Sequence, residues 1–394
     1  MSEWKEKTIG ELSIRVSSGL TPLKSNKEFW ENPIIPWLKT DQLGEKYIFD
    51  TNTKISKEAL EQTSLRIYPE NTISIAMYGE GKTRGNLSII KAPITTNQAC
   101  CNIELDSKLA DVEYVYYYLK TQYDALRKLS SGVRKNLNSN DIKNYKIYIP
   151  ESVRFQRSIV KILTSLDNKI SVNNQINQEL EAMAKTLYDY WFVQFDFPDQ
   201  NGKPYKSSGG KMVYNPELKR EIPEGWGVTK VGELQIATGK RDANFGTENG
   251  KYDFWTTANS PIKADEFSSE GKAILIAGNG NFYVNFTEGK FEAYQRTYVI
   301  QSEDENMLIF MYMACLQSVE KLRKGSNGSI IKYITIGDVN NIASPYNKNV
   351  VNEFVRIYSP LIDLISKNKR QNQELTQLRD WLLPMLMNGQ VKVE

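Results

Sequence analysis

The sequence predicts an α+β protein in which one mixed α/β unit is written twice and each copy ends in a long coiled-coil helix. Three observations predict this. Markers recur in the same order at nearly constant offsets. A 3.5-residue apolar period runs for about five heptads at the end of each copy. Before it, short apolar runs are broken by Gly, Pro and Asn.

Trp4 opens Trp-Lys-Glu-Lys-Thr-Ile-Gly-Glu-Leu and Trp226 opens Trp-Gly-Val-Thr-Lys-Val-Gly-Glu-Leu, so Trp4/Trp226 and Leu12/Leu234 share an offset of 222. Asn-Gln-Glu-Leu at 177–180 returns at 372–375, an offset of 195. The second copy is therefore shorter by 27 residues, as when surface loops are trimmed on a shared scaffold. Between the anchors Trp37 and Thr40 echo Trp255 and Thr257, and residues 75–81 echo 274–280. Gly132 through Ile142 echoes Gly328 through Val339.

From Phe155 to Phe192 there is neither Pro nor Gly. With Ile159 at position a, the a row continues through Leu166, Asn173, Leu180 and Leu187, and the d row reads Ile162, Lys169, Ile176, Met183 and Tyr190. The same register 195 residues later gives Phe354, Leu361, Asn368, Leu375 and Leu382 at a, with Ile357, Leu364, Gln371, Leu378 and Met385 at d. Two equivalent helices with unfilled apolar seams satisfy each other most economically, and buried polar residues at matching places pin register. Pro360 suits a first helical turn, and Pro384 should end or kink the helix near Leu383. Helices are also expected around 112–129 and 306–323, and strands at 64–68, 72–77, 86–90 and 145–149.

The 394 residues carry 50 Lys+Arg against 47 Asp+Glu, a net charge of +3, and no histidine. Ser-His-Asp and Cys-His catalysis and His-ligated metal are thereby excluded. Cys100 and Cys101 are adjacent and Cys315 is distant, which makes no CxxC pair and fits a reducing cytosol. The charged N-terminus lacks a signal-peptide core and no 18-residue apolar run occurs, so a cytoplasmic protein without a membrane span is expected.

Ala76 through Thr83 matches a relaxed phosphate-loop pattern, but a phosphate loop needs a helix to begin at its Lys-Thr. Here Arg84-Gly85-Asn86 and Leu87-Ser88-Ile89-Ile90 read as turn and strand, so a Gly-rich hairpin presenting Lys82 and Arg84 is expected. No Asn/Asp-Pro-Pro-Tyr/Phe stretch of an amino-methyltransferase occurs, and no Gly-x-Gly-x-x-Gly opens a helix after a strand. Asp141 and Asp338 sit at equivalent places, which suits a helix cap better than an acid/base pair. No catalytic residue and no metal ligand is assigned.

Basic residues cluster near the end of each unit. Arg127, Lys128, Arg134 and Lys135 precede Asn136 and Asn138, and Lys321, Arg323, Lys324, Asn327 and Lys332 occupy the matching stretch, with Arg296 as a further candidate. Cations serve phosphates and amides serve base edges, and recurrence in both copies favours DNA over a merely solvated face.

The chain resembles the specificity subunit (HsdS) of type I restriction–modification systems. The resemblance rests on Leu187-Tyr188-Asp189-Tyr190-Trp191-Phe192-Val193-Gln194-Phe195-Asp196, on Glu221-Ile222-Pro223-Glu224-Gly225-Trp226 and on residues 378–389 with Leu-Leu-Pro-Met-Leu-Met-Asn-Gly at their end. Gly79 to Lys82 and Gln98 also look like that family's hairpin region. The second copy has Asn279-Gly280-Asn281 where the first has Glu80-Gly81-Lys82.

The resemblance implies two pseudo-two-fold-related mixed α/β target recognition domains, 1–150 and 197–347 (the latter with its crossing linker), separated by two long antiparallel coiled-coil helices, 151–196 and 348–394. It implies a non-catalytic subunit reading a bipartite, asymmetric double-stranded DNA target, one domain per half-site. It further implies two modification (HsdM) subunits carrying S-adenosylmethionine, and restriction (HsdR) subunits using ATP and Mg. About 35 helical residues at ~1.5 Å each span roughly 50 Å, somewhat more than one ~34 Å turn of DNA, so the helices would act as a spacer ruler. Their outer faces, with Lys185, Arg370 and Arg379, would dock partner helices. Two rival readings stay open: a recognition unit with methyltransferase or nuclease activity of its own, and a coiled-coil adaptor that binds no DNA.

Overall fold

The computed structural model describes residues 3–79, 83–129, 136–248, 250–326 and 332–391. It falls into two compact units, Met1–Val172 with Arg370–Glu394 and Asn173–Lys369. Each unit holds one globular copy and part of both long helices. The division falls inside the helices, which begin at Val153 and Lys348, rather than at their starts.

In the first unit Trp4–Thr8 pairs antiparallel with Lys146–Pro150 and closes the globular copy. Its main sheet has five strands in the order Ser13–Ser18, Cys100–Leu105, Thr72–Ala76, Leu87–Ile90 and Tyr47–Ile48. The second unit repeats the plan. Gly227–Lys230 pairs antiparallel with Ala343–Tyr346. Its main sheet runs Gln235–Thr238, Thr297–Gln301, Ala273–Ala277 and Val284–Thr287. In both, a smaller sheet is built on a parallel pair: Ile35–Leu38 with Thr95–Thr96, and Tyr252–Trp255 with Lys290–Ala293. The marker tryptophans Trp37 and Trp255 lie in these equivalent strands and are buried.

The apolar runs explain the sheets. Thr72–Ala76 and Ala273–Ala277 are buried at every position, as central strands covered on both faces require. Ile73, Ile75 and Ile103 in one copy and Ile274, Ile276 and Ile300 in the other are fully buried, each side chain worth about 1.5–3 kcal/mol of transfer free energy. Of the expected strands, 64–68 forms only an isolated bridge at Tyr68. The helix over the sheet is split in the first copy, Val112–Thr121 then Tyr123–Lys128, and continuous in the second, Glu305–Gly325.

Asp141 and Asp338 are helix caps. The Asn138 side chain accepts from the Asp141 amide at 2.9 Å while the Asp141 carboxylate accepts from the Asn138 amide at 3.4 Å. Thr335 and Asp338 make the same reciprocal pair at 3.3 and 2.7 Å. Asp338→Ala should therefore cost about 1 kcal/mol of unfolding free energy, read by urea titration. An unmoved urea midpoint would remove the capping role.

The described residues on either side of 80–82 close a hairpin. The Ala76 amide donates to Asn86 O at 2.8 Å and the Gly85 amide to Ala76 O at 2.9 Å, and Leu87–Ile90 returns antiparallel to Thr72–Ala76. Among the described residues no helix starts there.

The long helices span Val153–Tyr188 and Lys348–Met387. In each unit they run antiparallel against one another. In the second, Tyr188 packs on Phe354 at 6.0 Å between ring centroids while Asn368 Nδ2 donates to Asn177 Oδ1 at 2.9 Å. In the first, Asn372 Nδ2 reaches Ile170 O at 3.4 Å and Arg379 reaches Asp167 at 2.9 Å.

The a rows Leu166, Asn173, Leu180, Leu187 and Leu361, Asn368, Leu375, Leu382 face inward, buried or half-buried. The d rows do not. Ile176 is 38% and Leu378 43% exposed, and Met183, Tyr190, Ile357 and Leu364 are exposed beside them. The second inward row lies one residue later, at Leu163, Ile170, Asn177, Ala184 and Trp191 and at Tyr358, Ile365, Asn372, Arg379 and Leu386. Apolarity misplaced it because Asn177, Asn372 and Arg379 are turned inward with hydrogen-bond partners supplied.

Pro360 and Pro384 both lie inside the second helix, which ends three residues beyond Pro384. A proline removes one amide bond to the fourth carbonyl back without ending a helix whose face is held by packing. The terminator is Gly389, at φ +70, with the Trp4 ring 3.0 Å from where a Cβ would stand.

Candidate nucleic-acid interface

In the first unit the hairpin after Thr72–Ala76 rests against the last turn of Tyr123–Lys128. Gly85 holds φ +90, and a Cβ there would meet the Tyr123 ring at 3.2 Å and Arg127 Cγ at 3.3 Å. Arg127 donates to Tyr123 OH at 2.6 Å, and Lys128 beside it is exposed. The returning chain donates from the Leu137 amide to Met77 O at 3.1 Å, which sets Asn136 at the hairpin base. Arg84, Arg127, Lys128 and Asn136 are thus brought together, with exposed Tyr78 among them. Lys82, Arg134 and Lys135 lie outside the described residues.

The second unit builds the same corner. The Ala277 amide donates to Tyr283 O at 2.9 Å and closes a hairpin with five residues between, where the first copy has nine. Arg323, at the place of Arg127, donates to Asn281 O at 3.4 Å and pairs with Glu320. The Ile334 amide donates to Gly278 O at 3.0 Å, and the Gly280 amide to Lys332 O at 2.9 Å. Arg296, Lys324 and Lys332 are exposed at this corner beside exposed Tyr333. Asn327 lies outside the described residues.

One backbone thus carries different side chains. Met77 N to Ala99 O at 2.8 Å in the first copy is Gly278 N to Arg296 O at 2.7 Å in the second, so a methyl group stands where the other copy offers a guanidinium. The arrangement presents cations for phosphates, amide and guanidinium forks for base edges, and tyrosine rings for stacking or packing. Sequence reasoning missed Tyr78 and Tyr333. Their only signal is an aromatic residue just past a buried strand or just before a capped helix.

Burial pushes the Cys100 and Cys101 thiols up to about 12, and that of Cys315 up as well. Among the described residues no group of three His, Cys, Asp or Glu side chains is placed to hold a metal ion, and no helix is long and apolar enough to cross a membrane.

Residues 1–182 and 223–377 match the type I restriction modification DNA specificity domain, one match per copy of the fold. The chain belongs to this family. The MjaIX specificity subunit of Methanocaldococcus jannaschii is 29% identical over 427 residues, covering all of this chain and 94% of that protein. The EcoDI specificity subunit of Escherichia coli is 33% identical over 186 residues, covering 44% of this chain and 40% of its own. The crystal structure of a type I restriction–modification S subunit from M. genitalium shares the fold, with a TM-score of 0.60 at 16% identity, covering 98% of this chain and 96% of that one.

In this specificity-family chain the first globular copy is fastened to both long helices by a half-buried charge cluster that sequence reasoning also missed. Lys46 Nζ lies 2.7 Å from Glu113, 3.5 Å from Asp167 and 2.8 Å from Tyr117 OH. Tyr117 donates to Asp167, and Arg379 lies 2.9 Å from the same carboxylate. Burial alone would raise the Asp167 pKa. The hydrogen bonds from Tyr117 and Arg379 and the charges of Lys46 and Arg379 outweigh it and hold the carboxyl below its usual range. Arg379, 18% exposed at its side chain, therefore belongs to this cluster and not to an outward docking face.

Proposed function

We propose that this chain is the DNA-reading specificity subunit of a type I restriction–modification complex, recognising a bipartite asymmetric duplex target with one globular copy per half-site. The observation that carries this reading is the duplicated corner. The same hairpin, helix end and returning chain converge in both copies, and while Arg127-Lys128 recurs as Arg323-Lys324, Arg296 stands where the first copy has Ala99 and Tyr333 where it has Asn136. A shared scaffold with unlike side chains should read unlike half-sites. Lys82, Arg134, Lys135 and Asn327 are proposed for the same surfaces from sequence alone.

The long helices, continuous for 36 and 40 residues, are proposed as the spacer between half-sites. Their outward apolar rows, Ile176–Met183–Tyr190 and Ile357–Leu364–Leu378, recur at heptad spacing with Trp381 beside them. Such rows suit partner helices, and we assign them to two modification subunits. Adenine methylation with S-adenosylmethionine, and ATP- and Mg-dependent cleavage with restriction subunits, would belong to those partners in the cytoplasm.

The test is salt-dependent duplex binding by the complex with its modification partner. Lys128→Ala and Lys324→Ala should each weaken binding across all sequences and lower the slope of log K against log salt by about 1. Arg296→Ala should instead relax discrimination at one base position of one half-site. Unchanged slopes and an unchanged methylated sequence would refute the assignment, and methylation by the purified chain alone would favour a fused enzyme.

A further inference from the structure

The two copies differ beside one strand. In the first, Leu87–Ile90 is covered by Tyr47–Ile48, which pairs parallel to it, with Ile89 N donating to Lys46 O and Lys91 N to Ile48 O, both at 2.8 Å. The equivalent Val284–Thr287 is the edge of its sheet, and among the described residues the chain supplies no strand there. The inserted segment of the first copy is held by Tyr117, Glu113, Asp167 and Arg379, reached through Lys46 and Tyr47. By the 195-residue offset, the positions of Asp167 and Arg379 carry Ile362 and Ala184 in the second copy.

Those changed walls border a cavity of about 410 Å³. Its lining includes every residue from Asn281 to Phe286, together with Met313 and Leu316 of the sheet-covering helix and Ala184 and Ile362 of the long helices. Consecutive strand residues point to opposite faces, so Val284, Asn285 and Phe286 all line a cavity only where it runs along the strand's edge. At its rim Lys185, Arg323 and Lys369 are each held in a surface ion pair, with Asp189, Glu320 and Glu181, weak enough for a ligand carboxylate to exchange into. The site has the walls of the first copy's strand slot, made apolar within and ringed by exchangeable ion pairs at the mouth.

We propose that this slot receives an extended segment of a partner polypeptide, apolar at its centre and flanked by carboxylates, which adds as a parallel strand to Val284–Thr287. The first copy shows what fits, one short strand with an aromatic and an aliphatic residue. The rim supplies the charge preference, opposite in sign to Lys46. Strand addition gives affinity through main-chain hydrogen bonds and specificity through side-chain pockets. The inference does not depend on which DNA is read.

The probe is a labelled synthetic heptapeptide with the sequence of Gly44–Asp50 carrying Lys46→Glu, titrated into the full-length protein by fluorescence anisotropy. Saturable binding is expected. Leu316→Trp, which narrows the slot, should weaken it about tenfold, as should N-methylation of the peptide at Ile48. The unaltered Lys46 peptide should bind at least about threefold more weakly, and Lys185→Glu with Lys369→Glu should reverse that order. These two lysines are exposed, so the reversal can be read even if Leu316→Trp fails to fold. No saturable binding up to ~1 mM would overturn the proposal, as would binding indifferent to N-methylation and charge. Self-association of the protein abolished by Leu316→Trp would assign the slot to a second copy and likewise overturn it.

Discussion

Asp167→Ala is expected to destabilise the first unit by about 2–3 kcal/mol, because it strips the shared acceptor from a half-buried cluster, leaving the Tyr117 hydroxyl without its acceptor and Arg379 with Asp380 alone at 2.8 Å. Lys46 keeps Glu113 at 2.7 Å, so its share of the loss is smaller. Hydrogen exchange should show the loss in the Val112–Thr121 helix and the Tyr47–Ile48 strand, with amides of the second unit's sheet unaffected. The second copy supplies a control, since Ile362 and Ala184 stand at the positions of Asp167 and Arg379. The double variant Asp167→Ile with Arg379→Ala should be more stable than Asp167→Ala by about 1 kcal/mol, because it removes a half-buried guanidinium left with Asp380 alone. A double variant no better than the single would mean that the cluster acts through packing rather than charge.

The same carboxylate sets an acid dependence. Its folded pKa lies below its unfolded value of about 3.9, so the folded state favours the ionised form. That stability is fully present above the unfolded value and is lost as pH falls through the folded pKa. Acid unfolding of the protein should therefore steepen below about pH 4, and the stability gap between it and Asp167→Ala should narrow over the same range. A gap constant down to pH 2 would contradict the direction of the shift.

What could be read in advance divides along physical lines. The duplication, the two long helices and the caps at Asp141 and Asp338 were legible because each is local: a repeated marker, a period, or a polar residue three positions before its partner. The hairpin at Ala76–Thr83 was legible from what followed it. The inward row of the helices was placed one residue early because Ile176 and Leu378 are apolar yet face outward. Asn177, Asn372 and Arg379 are polar yet face inward, and only their partners Ile365, Ile170 and Asp167 reveal why. The Lys46–Asp167–Arg379 cluster joins residues more than a hundred positions apart with no spacing rule to announce them. Among the described residues no strand lies beside Val284–Thr287, but the shorter length of the second copy does not say which element differs.

Duplicating residues 172–178 together with 367–373 should lengthen the unread spacer of the target while leaving both half-sites unchanged. These segments carry Asn173, Asn177, Asn368 and Asn372, the polar tier at the middle of the pairing. Adding one heptad to each helix repeats that tier and keeps both inward rows continuous. Seven residues add about 10 Å of rise, equal to about three base pairs at ~3.4 Å. Each added base pair also turns the duplex by about 34°, whereas a heptad returns the helix almost to its starting direction. Rise therefore sets an upper limit of about three base pairs, and twist pulls the preferred step below it. Duplicating only one segment should abolish methylation, because a tier in one helix then meets apolar residues in the other. Sequencing of methylated adenines in cells carrying the variant and its modification partner reads both outcomes. A spacer unchanged by the double duplication would refute the helices as the ruler, whatever the two globular copies prove to bind.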